Sequence, residues 1–91
     1  MSLRIYVIRT FVRCGHSLDV LPPTICFERD LALEMAQADQ DQAEGVAVYE
    51  LDGRAMGECA TRPFAAFGHI PASYRQVGRD VLLAAAPAHA G

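Results

Sequence analysis

The 91-residue chain contains no lysine; all eight of its basic residues are arginine. Together with its many alanines, that bias is what GC-rich coding produces. A bacterium, or a phage or plasmid of one, is the expected source. No apolar run approaches the roughly 20 residues needed to cross a bilayer, so no membrane partner is expected. The N-terminal stretch MSLRIYVIRTFVRC lacks a secretory pattern: Arg4, Arg9 and Arg13 interrupt its apolar residues and no small-residue cleavage site follows. A cytoplasmic location is the expectation. Cysteine is scarce and unpaired. Cys14, Cys26 and Cys59 are odd in number and show no CxxC or HxxxH spacing, which argues against a disulfide framework and against zinc. No metal or other cofactor is expected, and the cysteines read as small buried hydrophobes.

What is present describes one small globular domain. Hydrophobic residues make up 52% and charged residues 21%, a balance that folds instead of staying disordered. So short a chain has little room for an enclosed active-site cavity. Residues 3–13 are rich in β-branched and aromatic side chains and form the first predicted strand. Leu3, Ile5, Val7 and Phe11 share one face, while Tyr6, Ile8 and Val12 share the other. Both faces are therefore apolar, unlike a sheet with one wet side. A turn at residues 14–17 leads into a second strand, 18–27. Pro22 and Pro23 donate no ladder hydrogen bonds, which places that strand at an edge or breaks it there.

A helix is expected over residues 29–44, with Glu28 a poor cap and Gly45 as the residue that ends it. Ala38, Leu31, Met35, Ala32, Ala43 and Ala36 fall on one side, interrupted by Gln42 and Asp39; Glu34, Gln37, Gln40 and Asp41 fall opposite. The many alanines predict close packing on a sheet. Next, residues 46–51 and 54–60 flank Asp52-Gly53, a strong signal for a two-residue hairpin. Its register pairs Leu51 with Arg54, Tyr49 with Met56 and Val48 with Gly57. Residues 64–71 read as irregular, pinned by Phe64 and Phe67. Residues 72–86 place Tyr74, Val77, Val81, Leu82 and Ala85 at helical spacing, although Gly78 costs about 1 kcal/mol against Ala.

The fold expected is α+β: an antiparallel sheet of about four strands in ββαββ order, one main helix packed on it and a C-terminal helix. Residues 1–71 form the core domain, and residues 72–91 a helical extension docked on it. The run VAVYELDGR, Val46 to Arg54, resembles the helix-then-hairpin pattern VVVxxxDGR of short bacterial and phage domains of unknown function. That resemblance covers about half the chain and implies the fold alone. The Pro-Pro of the second strand and the long C-terminal extension depart from the pattern.

Charge is unevenly distributed. Residues 28–52 hold eight acids against Arg29 alone, a local charge of −7 in a chain whose net charge is −3. Glu34, Asp39, Asp41 and Glu44 form the candidate binding patch. Anions in the last helical turns run against the macrodipole at a few tenths of a kcal/mol each. The bland reading is a solvated face that keeps a small protein in solution. The functional reading is a non-enzymatic regulatory protein whose acidic helix meets another protein, one that is basic or itself binds nucleic acid. Two rivals remain. Arg9, Phe11 and Arg13 share a strand face and resemble a weak nucleic-acid platform, though the pI of about 5.4 opposes it. A small enzyme would use Cys14 with His16 or His69, or a carboxylate site. Finally, one helix covers one sheet face. Either segment 72–86 or a second copy must shield the other face of strand 3–13, and a symmetric homodimer is the expectation taken forward.

Overall fold

The computed structural model describes residues 4–52 and 60–84. It is an α+β fold built on an antiparallel sheet. Strand β1 (Arg4–Cys14) lies at its centre, and β4 (Gly45–Asp52) runs along one side, from Arg4 opposite Asp52 to Phe11 opposite Gly45. The other side of β1 meets two short strands, β2 (Ser17–Val20) and β3 (Thr24–Cys26). Helix α1 (Arg29–Asp39) connects β3 to β4, and β5 (Ala65–Gly68) forms the far edge beyond β4. No helix among the described residues is long and apolar enough to cross a membrane.

The Pro-Pro pair does both things expected of it. Val20 faces Phe11 and Thr24 faces Ile8, so residues 21–23 stand opposite only Arg9 and Thr10. One extra residue makes a bulge, at a position where Pro22 and Pro23 owe the ladder no N–H. The Leu21 N–H still reaches the Thr10 carbonyl at 2.9 Å. Gly15, at φ +64°, takes the first corner of the turn between Cys14 and Ser17, where glycine carries no side-chain penalty.

Both faces of β1 are covered, which explains its double apolar pattern. One layer contains Tyr6, Ile8, Val46 and Val48 under Ala32 and Ala36 of α1, with Cys26 beside them. The other contains Val7, Phe11, Ala47, Tyr49 and Leu51 under Ile70, Val77 and Leu82 of the same chain. The cover sought from a second copy is thus supplied by the chain's own C-terminal segment.

Four boundaries differ from expectation. The α-helix stops at Asp39 and tightens into a 3-10 turn, Gln40–Gln42. Gly45 is not its cap but the first residue of β4. A Cβ there would run into the backbone of His69, so close approach is what requires glycine. On the helix, Ala32 and Ala36 are buried as expected, whereas Leu31 and Ala38 are exposed. Val48 pairs with Ala65, so the segment read as irregular is a strand. The expected Leu51–Arg54, Tyr49–Met56 and Val48–Gly57 pairs involve residues outside the described ones. Phe64 and Phe67 pack on the α1 layer, and Phe64 sets its ring edge-on to Tyr6 at 5.9 Å. Both rings are half-buried, so each contributes less than the about 1.5–3 kcal/mol of a fully buried large side chain.

The predicted helix over residues 72–86 is also broken up. Ala72–Tyr74 form a 3-10 turn, Val77 makes an isolated bridge to Thr61, and α2 is a single turn, Arg79–Leu82. Gly78 is its N-cap in extended geometry, so the glycine that would weaken a long helix marks where a short one starts. Residues 85 and 86 lie outside the described ones.

Candidate functional site

Helix α1 is fixed on one side by Ala32 and Ala36, which lets it lie close to the sheet and turns its remaining circumference to water. Glu34 and Asp39 on the helix, and Asp41 on the following turn, are exposed. None of the three makes an ion pair among the described residues. No basic residue occupies the last turn of α1, so the anions near its C-terminal end face the negative pole uncompensated. Glu44 differs. It is half-buried and accepts from the Arg13 guanidinium at 3.2 Å. That pair is open to solvent and contributes at most about 1 kcal/mol. Glu50 is likewise engaged, accepting from Arg4 at 3.3 Å and from the Tyr6 hydroxyl at 3.1 Å.

Two neighbours of the acids escape a sequence reading. Phe27, just before the helix, is 67% exposed, and Leu31 in its first turn is 46% exposed. Leu31 belongs to the apolar side of a helical wheel, yet α1 touches the sheet only along the stripe of Ala32, Met35 and Ala36. The available signal was the small size of those alanines: a close-packed helix has a narrow footprint. Exposed Phe27 and Leu31 therefore flank Glu28, Asp30 and Glu34, all on the surface.

The arginine–aromatic row of β1 is not an open platform. Arg9 is 2% exposed and Phe11 fully buried. The Arg9 guanidinium donates to the carbonyls of Leu82 at 3.1 Å and Ala84 at 3.0 Å, and lies 5.8 Å from the centre of the Tyr74 ring. Burial pulls its pKa below the usual arginine value, with Tyr74 and Tyr49 opposing the shift. Only Arg13 reaches the surface, where Glu44 engages it. As laid out here, Arg9, Phe11 and Arg13 present no continuous surface to a nucleic-acid strand.

The thiols and imidazoles are dispersed. Cys14 and His16 are exposed on the β1–β2 turn, and Cys26 is buried with its thiol 3.4 Å from the Met35 sulfur. His69 is exposed and its backbone N–H donates to the Glu44 carbonyl. Cys59 and His89 lie outside the described residues. Among the described residues no three His, Cys, Asp or Glu side chains come together as a metal-holding group. The perturbed titrations, Tyr6, Arg9 and Tyr49, all have burial as their first cause. They belong to the sheet and its two covering layers, not to an open cleft. No family model matches the chain, nor does any curated protein or solved structure.

Proposed function

We propose that this is a non-enzymatic binding protein of a bacterium or mobile element, whose working surface is the outward side of α1. The supporting observation is that Glu34, Asp39 and Asp41, on a helix packed against the sheet and the turn that follows it, are exposed and without an ion pair among the described residues, with Phe27 and Leu31 exposed beside them. Uncompensated anions draw in a cationic surface and speed its encounter. An exposed aromatic and a leucine supply the apolar anchors that such steering alone lacks. The partner that fits is a protein with a basic surface around an apolar pocket; a nucleic-acid-binding protein is one such class. Free thiols at Cys14 and Cys26 agree with a reducing, cytoplasmic setting.

The test compares two baits in extract of the source cell, with bound proteins identified by mass spectrometry. One bait is the wild-type chain, the other a Glu34→Gln, Asp39→Asn, Asp41→Asn variant. A basic protein held by the wild type, lost from the variant and released by moderate salt supports the proposal. Identical capture by both baits overturns it. The three positions are exposed, so the variant's melting temperature should change little.

A further inference from the structure

The two layers on the sheet are held in different ways. Helix α1 covers its face with Ala32, Met35 and Ala36, and sets the Arg29 guanidinium 5.0 Å from the centre of the Phe64 ring. The opposite cover, residues 71–84, has little structure of its own. It consists of a 3-10 turn and a single helical turn, too short to persist without the sheet. It adds no strand to the sheet. Its one β-bridge runs to Thr61, where Thr61 and Val77 exchange backbone hydrogen bonds of 2.8 and 2.9 Å.

Side chains therefore carry the attachment. Val77 and Leu82 fill the layer against Val7, Phe11 and Tyr49. The Tyr74 ring meets Phe11 edge-on at 5.1 Å, and the Tyr49 hydroxyl donates to the Tyr74 carbonyl at 2.6 Å. At the far end, the Arg9 guanidinium donates to the Leu82 and Ala84 carbonyls. Among the described residues this buried cation has no carboxylate beside it, and its Nε has no hydrogen-bond partner. Covering it costs desolvation, and against that cost stand its bonds to two carbonyls and the tyrosine ring beside it.

We propose that residues 71–84 are a strap that lifts from the sheet as a unit while the sheet and α1 stay folded, with Arg9 as its latch. Two opposing terms meet at Arg9. Its bonds to carbonyls hold the closed state, and rehydration of its guanidinium lowers the cost of the open one. Opening bares Val7, Phe11, Ala47, Tyr49 and Leu51 with one cation among them, a face opposite the acidic helix and independent of it. The closed protein keeps that second surface covered.

Native-state hydrogen exchange on the whole chain decides the matter. In the wild type, the amides of Val77, Leu82 and Leu83 should exchange at least ten-fold faster than the β1–β4 ladder amides, with little dependence on low urea. The Arg9→Met variant should speed strap exchange a further ten-fold or so and the ladder much less. Tyr49→Phe, which removes only a hydroxyl, should act in the same direction more weakly, and it serves if Arg9→Met does not fold. Strap and ladder amides exchanging at one rate with one urea dependence would overturn the proposal. So would variants that accelerate both sets equally, or neither.

Discussion

Gly45 and Gly68 face each other across β4 and β5, and each keeps a side chain out of a backbone contact. At Gly45 a Cβ would meet the His69 carbonyl; at Gly68, held at φ +73°, it would meet the carbonyl of Glu44. Neither obstacle is a flexible side chain that could move aside. Gly45→Ala should cost about 3 kcal/mol or more, at the upper end of single substitutions. Gly68→Ala adds a left-handed backbone penalty of about 1–2 kcal/mol to its own collision. Gly15→Ala carries that penalty alone, because nothing lies within 4 Å of its Cβ position. Gly78→Ala, with ordinary φ and open space, should be near neutral. Urea unfolding of the four variants checks the order; a neutral Gly45→Ala would contradict the contact. Tyr49 makes a second prediction. Its hydroxyl is enclosed, and burial raises its pKa well above the usual tyrosine value. An unfolded tyrosine ionises near about pH 10. Above that, the folded chain keeps a proton the unfolded chain has lost. The contribution is complete below about pH 10 and disappears as pH climbs towards the folded pKa. Stability measured by urea at neutral pH and at about pH 11 should fall, and Tyr49→Phe should flatten much of that fall.

At the scale of elements, α1 is positioned by how little it puts against the sheet. Ala36→Leu must push the helix away from Val46 and Val48, and should cost about 1–3 kcal/mol. Ala38→Leu, on the exposed side, should cost almost nothing. For a domain of this size 1 kcal/mol is about 4–8 °C in melting temperature, so calorimetry separates the two. Equal behaviour would mean that α1 is rotated from the orientation described. The edge formed by β2 and β3 tells a related story. Leu21 and Ile25 are exposed there, and an edge with apolar side chains and free donors pairs readily with other chains. Pro22 and Pro23 remove two donors and introduce the bulge. Replacing both with threonine should leave the fold intact but increase concentration-dependent association, read by light scattering.

For the whole molecule, the decisive fact is that one chain closes both faces of its sheet. A large uncovered apolar face would have called for a second copy, but Ile70, Val77 and Leu82 already occupy that place. Light scattering at micromolar concentration should report a 9.9 kDa species. A dimer built through the β2–β3 edge and one built by release of the strap would differ in sensitivity to Arg9→Met. The chain's three parts then have separate work: α1 presents charge, the sheet provides rigidity, and the strap controls access to the other face.

How much of this was legible in the sequence depends on the range of the forces involved. β1, β4 and the core of α1 follow from local patterns, because apolar alternation and alanine spacing state which sides are buried. The bulge at Pro22-Pro23 follows from the missing N–H groups alone. The exposure of Glu34, Asp39 and Asp41 follows too, since unpaired carboxylates stay in water. The rest needed distant residues to meet. Asp52-Gly53 is a sound turn signal, but nothing near it reveals that Phe64 and Phe67 will bring residues 65–68 to β4. Tyr74, Val77 and Leu82 are spaced for a helix, yet they serve a flat sheet face that a broken strap fits better. Arg9 sits in an apolar strand where sequence suggests an accessible cation. Its burial was decided by the carbonyls of Leu82 and Ala84, more than 70 residues away along the chain. Local periodicity determined which residues avoid water; only the tertiary structure decided which partners they avoid it with.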